Sequence, residues 1–268
     1  MCDEKVMGVA DSGTRGLSFG EIADRYDRFR PGVPTAALDW LLPDGCETVI
    51  DLAAGTGALT RRLTGRVQHV VAVEPDPRMR EILARNCPEA QLLPGTAESM
   101  PLADGRADAL LVSMAWHWMD PERAMPEIAR VLRDGGTFGV LWNHRDLSIP
   151  WVAELDRFTR ELRARQSGPG TTAQPPTRDV MDPPTGSLCR PLAELRLSWS
   201  MSVTAEEIVG LMGTDASAIA LAVEARDAVD ERLAGYLRDE LGLSGDRKIE
   251  LPMVCRCLRT SKVPDAAP

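Results

Sequence analysis

The sequence predicts an α/β fold: a Rossmann-like sheet of seven strands, mostly parallel, with helices on both faces. Two observations carry this. Short β-branched runs alternate with helical patterns between residues 48 and 142, and a glycine turn sits where the first run gives way to a helix. Such alternation implies right-handed crossovers and a sheet covered on both sides.

The elements follow in order. Residues 1–16 are polar and glycine-containing and read as a disordered tail; 263–268 form another. Two cap helices are expected over 17–45. The first is capped by Ser18 and runs from Phe19 to Arg28, with Phe19, Ile22, Ala23 and Tyr26 at helical spacing. The second runs from Thr35 to Leu42 and stops at the Pro43-Asp44-Gly45 turn. The core, 46–143, begins with a buried strand over Thr48 to Ala53 and a helix from Gly57 to Leu63. A strand over His69 to Glu74 precedes a helix capped by Asp76, opened by Pro77 and ending near Asn86. Ala90 to Leu93 is a third strand and Asp108 to Ala115 a fourth. Asp120-Pro121-Glu122 opens a helix to Leu132, closed by Gly135-Gly136, and Thr137 to Trp142 is the fifth strand.

The remainder divides into 144–190 and 191–262, within a single domain spanning 17–262. Pro150 to Gln166 is amphipathic, and Ser167 to Gly186, rich in Gly, Pro and Thr, is too long for an ordinary connection and is expected to be a lid, a disordered insert, or both. A strand over Glu194 to Val203, helices over Ala205 to Met212 and Glu224 to Leu241, and a strand over Lys248 to Leu258 complete seven strands, with an antiparallel insertion at the edge.

Composition limits the function. A net charge of −9 with no clustered Lys/Arg run argues against a nucleic-acid partner. No apolar run approaches a membrane span, and six scattered cysteines suit free thiols in a reducing compartment, so a cytoplasmic protein with no membrane partner is expected. Cys255 and Cys257 have no second ligand pair, so no metal site is expected.

The chemistry rests on Asp51-Leu52-Ala53-Ala54-Gly55-Thr56-Gly57 at the end of a strand. Gly55 and Gly57 are read as the positions where a Cβ would block a ligand's approach to the backbone. Glu74 ends the next strand, where a carboxylate accepts hydrogen bonds from both ribose hydroxyls. Together these imply an adenosine ligand. Thr60 stands where a dinucleotide fingerprint needs its third glycine, which argues against a nicotinamide oxidoreductase.

With Tyr26 to Gly32 (Tyr-Asp-Arg-x-Arg-Pro-Gly), Val73-Glu74-Pro75, Gly95 to Glu98, Trp116-His117-Trp118 and Arg130 to Gly136, the chain resembles the class I S-adenosylmethionine-dependent methyltransferases that act on small molecules. Ala53 departs from that family's first glycine. The resemblance implies S-adenosylmethionine as cofactor, with Asp51, Ala53, Gly55 and Gly57 lining its methionine part and Glu74 holding the ribose. Pro75 and Met79 would flank the adenine, Ala97 and Glu98 would lie at its edge, and Tyr26, Arg30 and Met114 would complete the pocket. Trp116, His117, Trp118 and Trp142 are the expected acceptor contacts, at the carboxyl edge of the sheet. His117 is the candidate general base, with a rate limb expected near the ~6.5 of free histidine. The acceptor is expected to be a small organic molecule of secondary metabolism, its O, N, S or C nucleophile left open, and the protein a monomer or homodimer. The competing reading is a methyltransferase fold that binds the cofactor without transferring the methyl group.

Overall fold

The computed structural model describes residues 22–166, 183 and 190–264. The expected tail over 1–16, nearly all of the 167–186 segment and the last residues of the chain lie outside them. Seven strands form one sheet in the order β3-β2-β1-β4-β5-β7-β6. They are β1 Thr48–Leu52, β2 His69–Val73, β3 Gln91–Leu93, β4 Ala107–Ser113, β5 Leu132–Arg145, β6 Ala193–Val203 and β7 Ile249–Ser261. The first five pair in parallel; β7 runs antiparallel between β5 and β6.

Nine helices are seen among the described residues: α1 Ala23–Phe29, α2 Thr35–Leu41, α3 Thr60–Leu63, α4 Pro77–Asn86, α5 Pro121–Val131, α6 Pro150–Gln166, α7 Ala205–Met212, α8 Ala216–Ile219 and α9 Val223–Leu241. Asp76 and Asp120 cap α4 and α5 by accepting from the N–H two residues on, with proline at the first helical turn, as the sequence predicts. Thr204 and Glu207 close a reciprocal capping box on α7.

The strand period divides the core into two layers. Ile50, Leu52, Leu110, Val112, Phe138 and Val140 pack on the α5 face. Val49, Ala109, Leu111 and Leu141 alternate with them onto α2 and α4. Both faces of the central strands are therefore apolar, as covered parallel sheets require. A third cluster joins α6, α7 and α9 to β6 and β7 through Val152, Ile208, Leu211, Leu233, Leu237 and Leu251.

Several boundaries differ from expectation. The first cap helix ends at Phe29, one residue later than expected, and is described only from Ala23. Helix α3 begins at Thr60, because Gly55 and Gly57 hold φ of 58° and 94°, which no right-handed helix accommodates. Strand β4 stops at Ser113 because Met114, at φ 60°, turns the chain out of the ladder. Gly135-Gly136 do not close a helix. Strand β5 starts at Leu132, and these glycines pair with Lys262 at the end of a β7 that extends to Ser261. The short helix α8 and the 3-10 turn at Trp116–Trp118 had no counterpart in the sequence reading.

Candidate active site

The strand order reverses between β1 and β4, so the crevice beyond their carboxyl ends is where a ligand of an open α/β sheet belongs. Asp51 is buried there and accepts a 2.6 Å hydrogen bond from the Thr60 hydroxyl. Burial pushes its carboxyl up to about 7, the Thr60 bond opposes this, and the charge of Glu74 adds to it. Glu74, also buried, accepts from Gly55 N–H and Asp76 N–H, each at 2.9 Å. Burial raises its pKa against those two bonds. The carboxylate thereby fixes both the glycine turn and the start of α4, while each oxygen keeps acceptor capacity.

Helix α1 closes this side. Asp27 accepts from Arg61 and Asn86, each at 2.9 Å, and Asn86 also donates to Thr56 O at 3.0 Å. Tyr26 packs with buried Met79, Ala23 and Ile82, and a Cβ built on Gly55 would stand 3.9 Å from its ring. Arg30 lies 4.9 Å over the Tyr26 ring and donates to Thr214 O at 3.1 Å. The Tyr26-to-Gly32 motif thus binds the glycine turn on one side and the C-terminal helices on the other.

At the end of β4, Met114 accepts a 3.0 Å hydrogen bond through Sδ from Asn143 N–H. His117 packs at 4.6 Å against Trp118, and its Nδ1 is buried without a partner. Burial, then Arg30 and His144, lower its pKa to about 4. A rate limb from this residue therefore belongs near pH 4, not near 6.5, because an imidazolium here would be desolvated beside two other basic groups.

The description "Methyltransferase domain" matches residues 50–140, from β1 into β5. An uncharacterized methyltransferase of Mycobacterium tuberculosis is 38% identical over 245 residues, covering 91% of this chain and 96% of the relative. The chain belongs to the class I S-adenosylmethionine-dependent methyltransferase family. An uncharacterized methyltransferase-like protein of Schizosaccharomyces pombe is 33% identical over 148 residues, 53% of this chain and 57% of that one. Among solved structures, one described as a Type II methyltransferase from Anaeromyxobacter dehalogenans shares the fold at a TM-score of 0.59, with 23% identity over 88% of this chain and all of that one.

The structure sorts the methyltransferase residues expected from sequence. Tyr26, Asp51, Ala53, Gly55, Gly57, Glu74 and Met79 gather around the turn, with Pro75 exposed beside them. Met114, His117 and Trp118 follow β4, and Arg30 is near enough for its charge to act on His117. Two assignments change. Trp116 and Trp142 are core residues, 1% and 0% exposed, with Trp116 tilted onto Phe138, so neither forms an acceptor wall. Ala97 is buried in the same cluster. Glu98 accepts from Asp120 N–H at 3.1 Å and holds the start of α5. The reason given for Gly57 also changes: a Cβ there would meet Leu83 at 2.6 Å and Cys87 at 2.9 Å, so its missing side chain admits α4 rather than a ligand.

Sequence reading missed Asn143, His144, Arg145, Arg163, Thr214 and Asp215. The first three are the last residues of β5, where the carboxyl-edge rule would have found them; the others lie on α6 and between α7 and α8, with no motif to mark them. Ala53 is a departure with a measurable cost. It sits at φ 57°, a region that burdens a residue with a Cβ. Ala53→Gly is expected to stabilise the protein by about 1 kcal/mol in denaturant melts; an unchanged or lower midpoint would show that the local strain is absent.

Proposed function

We propose that this methyltransferase moves the methyl group of S-adenosylmethionine to a small organic acceptor lodged between the ends of β4 and β5. The observation that carries the reading is the pair of buried carboxylates, Asp51 and Glu74, around a glycine turn with backbone N–H groups committed to Glu74. Among the described residues, Asp51 makes no ion pair, so its environment suits a ligand that brings positive charge. S-adenosylmethionine, when bound, supplies a methyl group already activated on a sulfonium. Glu74 would hold its ribose hydroxyls, Asp51 the cationic amino-acid end, and Tyr26 with Met79 the side toward α1.

What the chain must add is alignment and dryness. Fixing an acceptor in line with the methyl group is worth ~7 to 11 kcal/mol in favourable cases. The core behind the crevice, Trp116, Trp142 and Val112, is buried and apolar. His117, neutral at physiological pH, can accept a hydrogen bond from an acceptor proton without carrying charge itself.

Asp51 gives the test. Its folded pKa of about 7 lies above the ~3.9 of an unfolded Asp. The penalty for ionising it is absent below about pH 4 and grows as pH rises toward 7, so the unliganded protein loses stability over that window. A cation beside Asp51 reverses the preference. Calorimetry at about pH 6.5 in buffers of different ionisation enthalpy should show S-adenosylmethionine binding with proton release, and Asp51→Asn should lose that release. An identical proton count in Asp51→Asn would remove Asp51 from the cofactor site.

A further inference from the structure

Resting on that reading, we infer that the acceptor carries an anionic group, a carboxylate or a phosphate, which docks on Arg30, His117 and His144 at the carboxyl edge of β4 and β5. The first argument is charge. Arg145 reaches Asp156 at 2.8 Å and Asp215 at 3.3 Å, Arg163 reaches Asp215 at 3.2 Å, and Arg160 takes the other oxygen of Asp156 at 2.9 Å. Arg30 adds its charge to Asp215. Three guanidinium groups thus share two carboxylates by contact, and the charge of Arg30 lies near them as a fourth, in a protein whose net charge is −9.

The excess is not spread evenly. Arg145, Arg160 and Arg163 each contact a carboxylate, whereas Arg30 bonds only a carbonyl and an aromatic face and makes no ion pair among the described residues. Its Nε is buried without a partner, as is Nδ1 of His117. A guanidinium that keeps an unused donor beside an imidazole that keeps an unused nitrogen is a preformed cradle for oxygens.

The two histidines lie within this field. His117 feels Arg30 and His144; His144 feels Arg145, Arg30 and Arg256, offset by Asp215. Burial first and these cations second lower both rings; Arg145 and Arg256 already have carboxylate partners, whereas Arg30 has no counterion among the described residues. An anion placed among them would supply it, leaving Arg30 and the two imidazoles to orient the acceptor while its nucleophile meets the methyl group. The rival occupant is the cofactor's own carboxylate, because Arg30 also touches Tyr26 beside the glycine turn.

The chain has three histidines, so imidazole C–H resonances can be assigned by substitution and titrated by NMR in the full-length protein. The titration is run with and without saturating S-adenosylhomocysteine, adding citrate, inorganic phosphate or neutral glycerol. Citrate or phosphate should raise the pKa of His117 and His144 by about one while leaving His69 unmoved, with S-adenosylhomocysteine still bound. The stronger of the two anions identifies the acceptor's group as carboxylate or phosphate. Arg30→Lys should keep the response and Arg30→Gln should abolish it, while itself raising both rings. A response to glycerol equal to that of the anions, no anion response, or one that persists in Arg30→Gln would overturn the inference. Displacement of S-adenosylhomocysteine by the anions would also overturn it, by assigning the cradle to the cofactor. Should S-adenosylhomocysteine itself fail to bind, the cofactor reading falls, and the anion response of the free protein still decides this one.

Discussion

Gly57→Val should lose about 2 to 5 kcal/mol of folding stability and melt roughly 10 °C below the parent protein, before any effect on ligand is considered. Two costs add. The residue holds φ of 94°, where a β-branched side chain is strained, and its Cβ would enter the space of Leu83 on α4 and of Cys87 just after it. Neither neighbour has room to retreat, since Leu83 is 0% and Cys87 1% exposed. Against a domain stability of about 5 to 15 kcal/mol this is a large fraction. Thermal melts decide it, and a variant that melts like the parent would show that α4 does not press on the turn as described.

Glu74→Gln should weaken S-adenosylhomocysteine binding about 100-fold, the scale of ~3 kcal/mol expected when charge-assisted bonds to ribose hydroxyls are lost. The substitution also disturbs the fold, because an amide NH2 must now face either Gly55 N–H or Asp76 N–H. A cycle with the 2′-deoxy analogue separates the two effects. The parent should discriminate strongly between the ligands and Glu74→Gln should bind both about equally; equal discrimination in the two proteins would mean that Glu74 only braces the turn.

The legible part of this chain was the part in which local chemistry and tertiary structure agree. Asp76-Pro77 and Asp120-Pro121 start helices by satisfying their own first N–H groups, so their positions needed no knowledge of the rest of the fold. Helix α6 ran over the residues expected, Pro150 to Gln166, on its apolar spacing alone. The alternation of strands gave the sheet, and the edge rule pointed to the residues that follow β2 and β4. What failed depended on long-range packing. Trp116 and Trp142 looked like a ligand wall because their positions lie at the sheet edge, yet both turn into the α5 layer. Gly57 looked like a ligand glycine, yet a helix from later in the chain fills the space above it. Asp215 and Arg163 meet across 52 residues through a network no spacing announces.

The most direct test of the central claim is incubation of the protein with S-adenosylmethionine labelled in its methyl group and the small-molecule extract of its source organism. Label is expected in a small-molecule fraction with one S-adenosylhomocysteine formed per label transferred, and both should be lost in Glu74→Gln. Label recovered only in protein or nucleic acid, or tight cofactor binding with no S-adenosylhomocysteine formed across the extract, would contradict that claim.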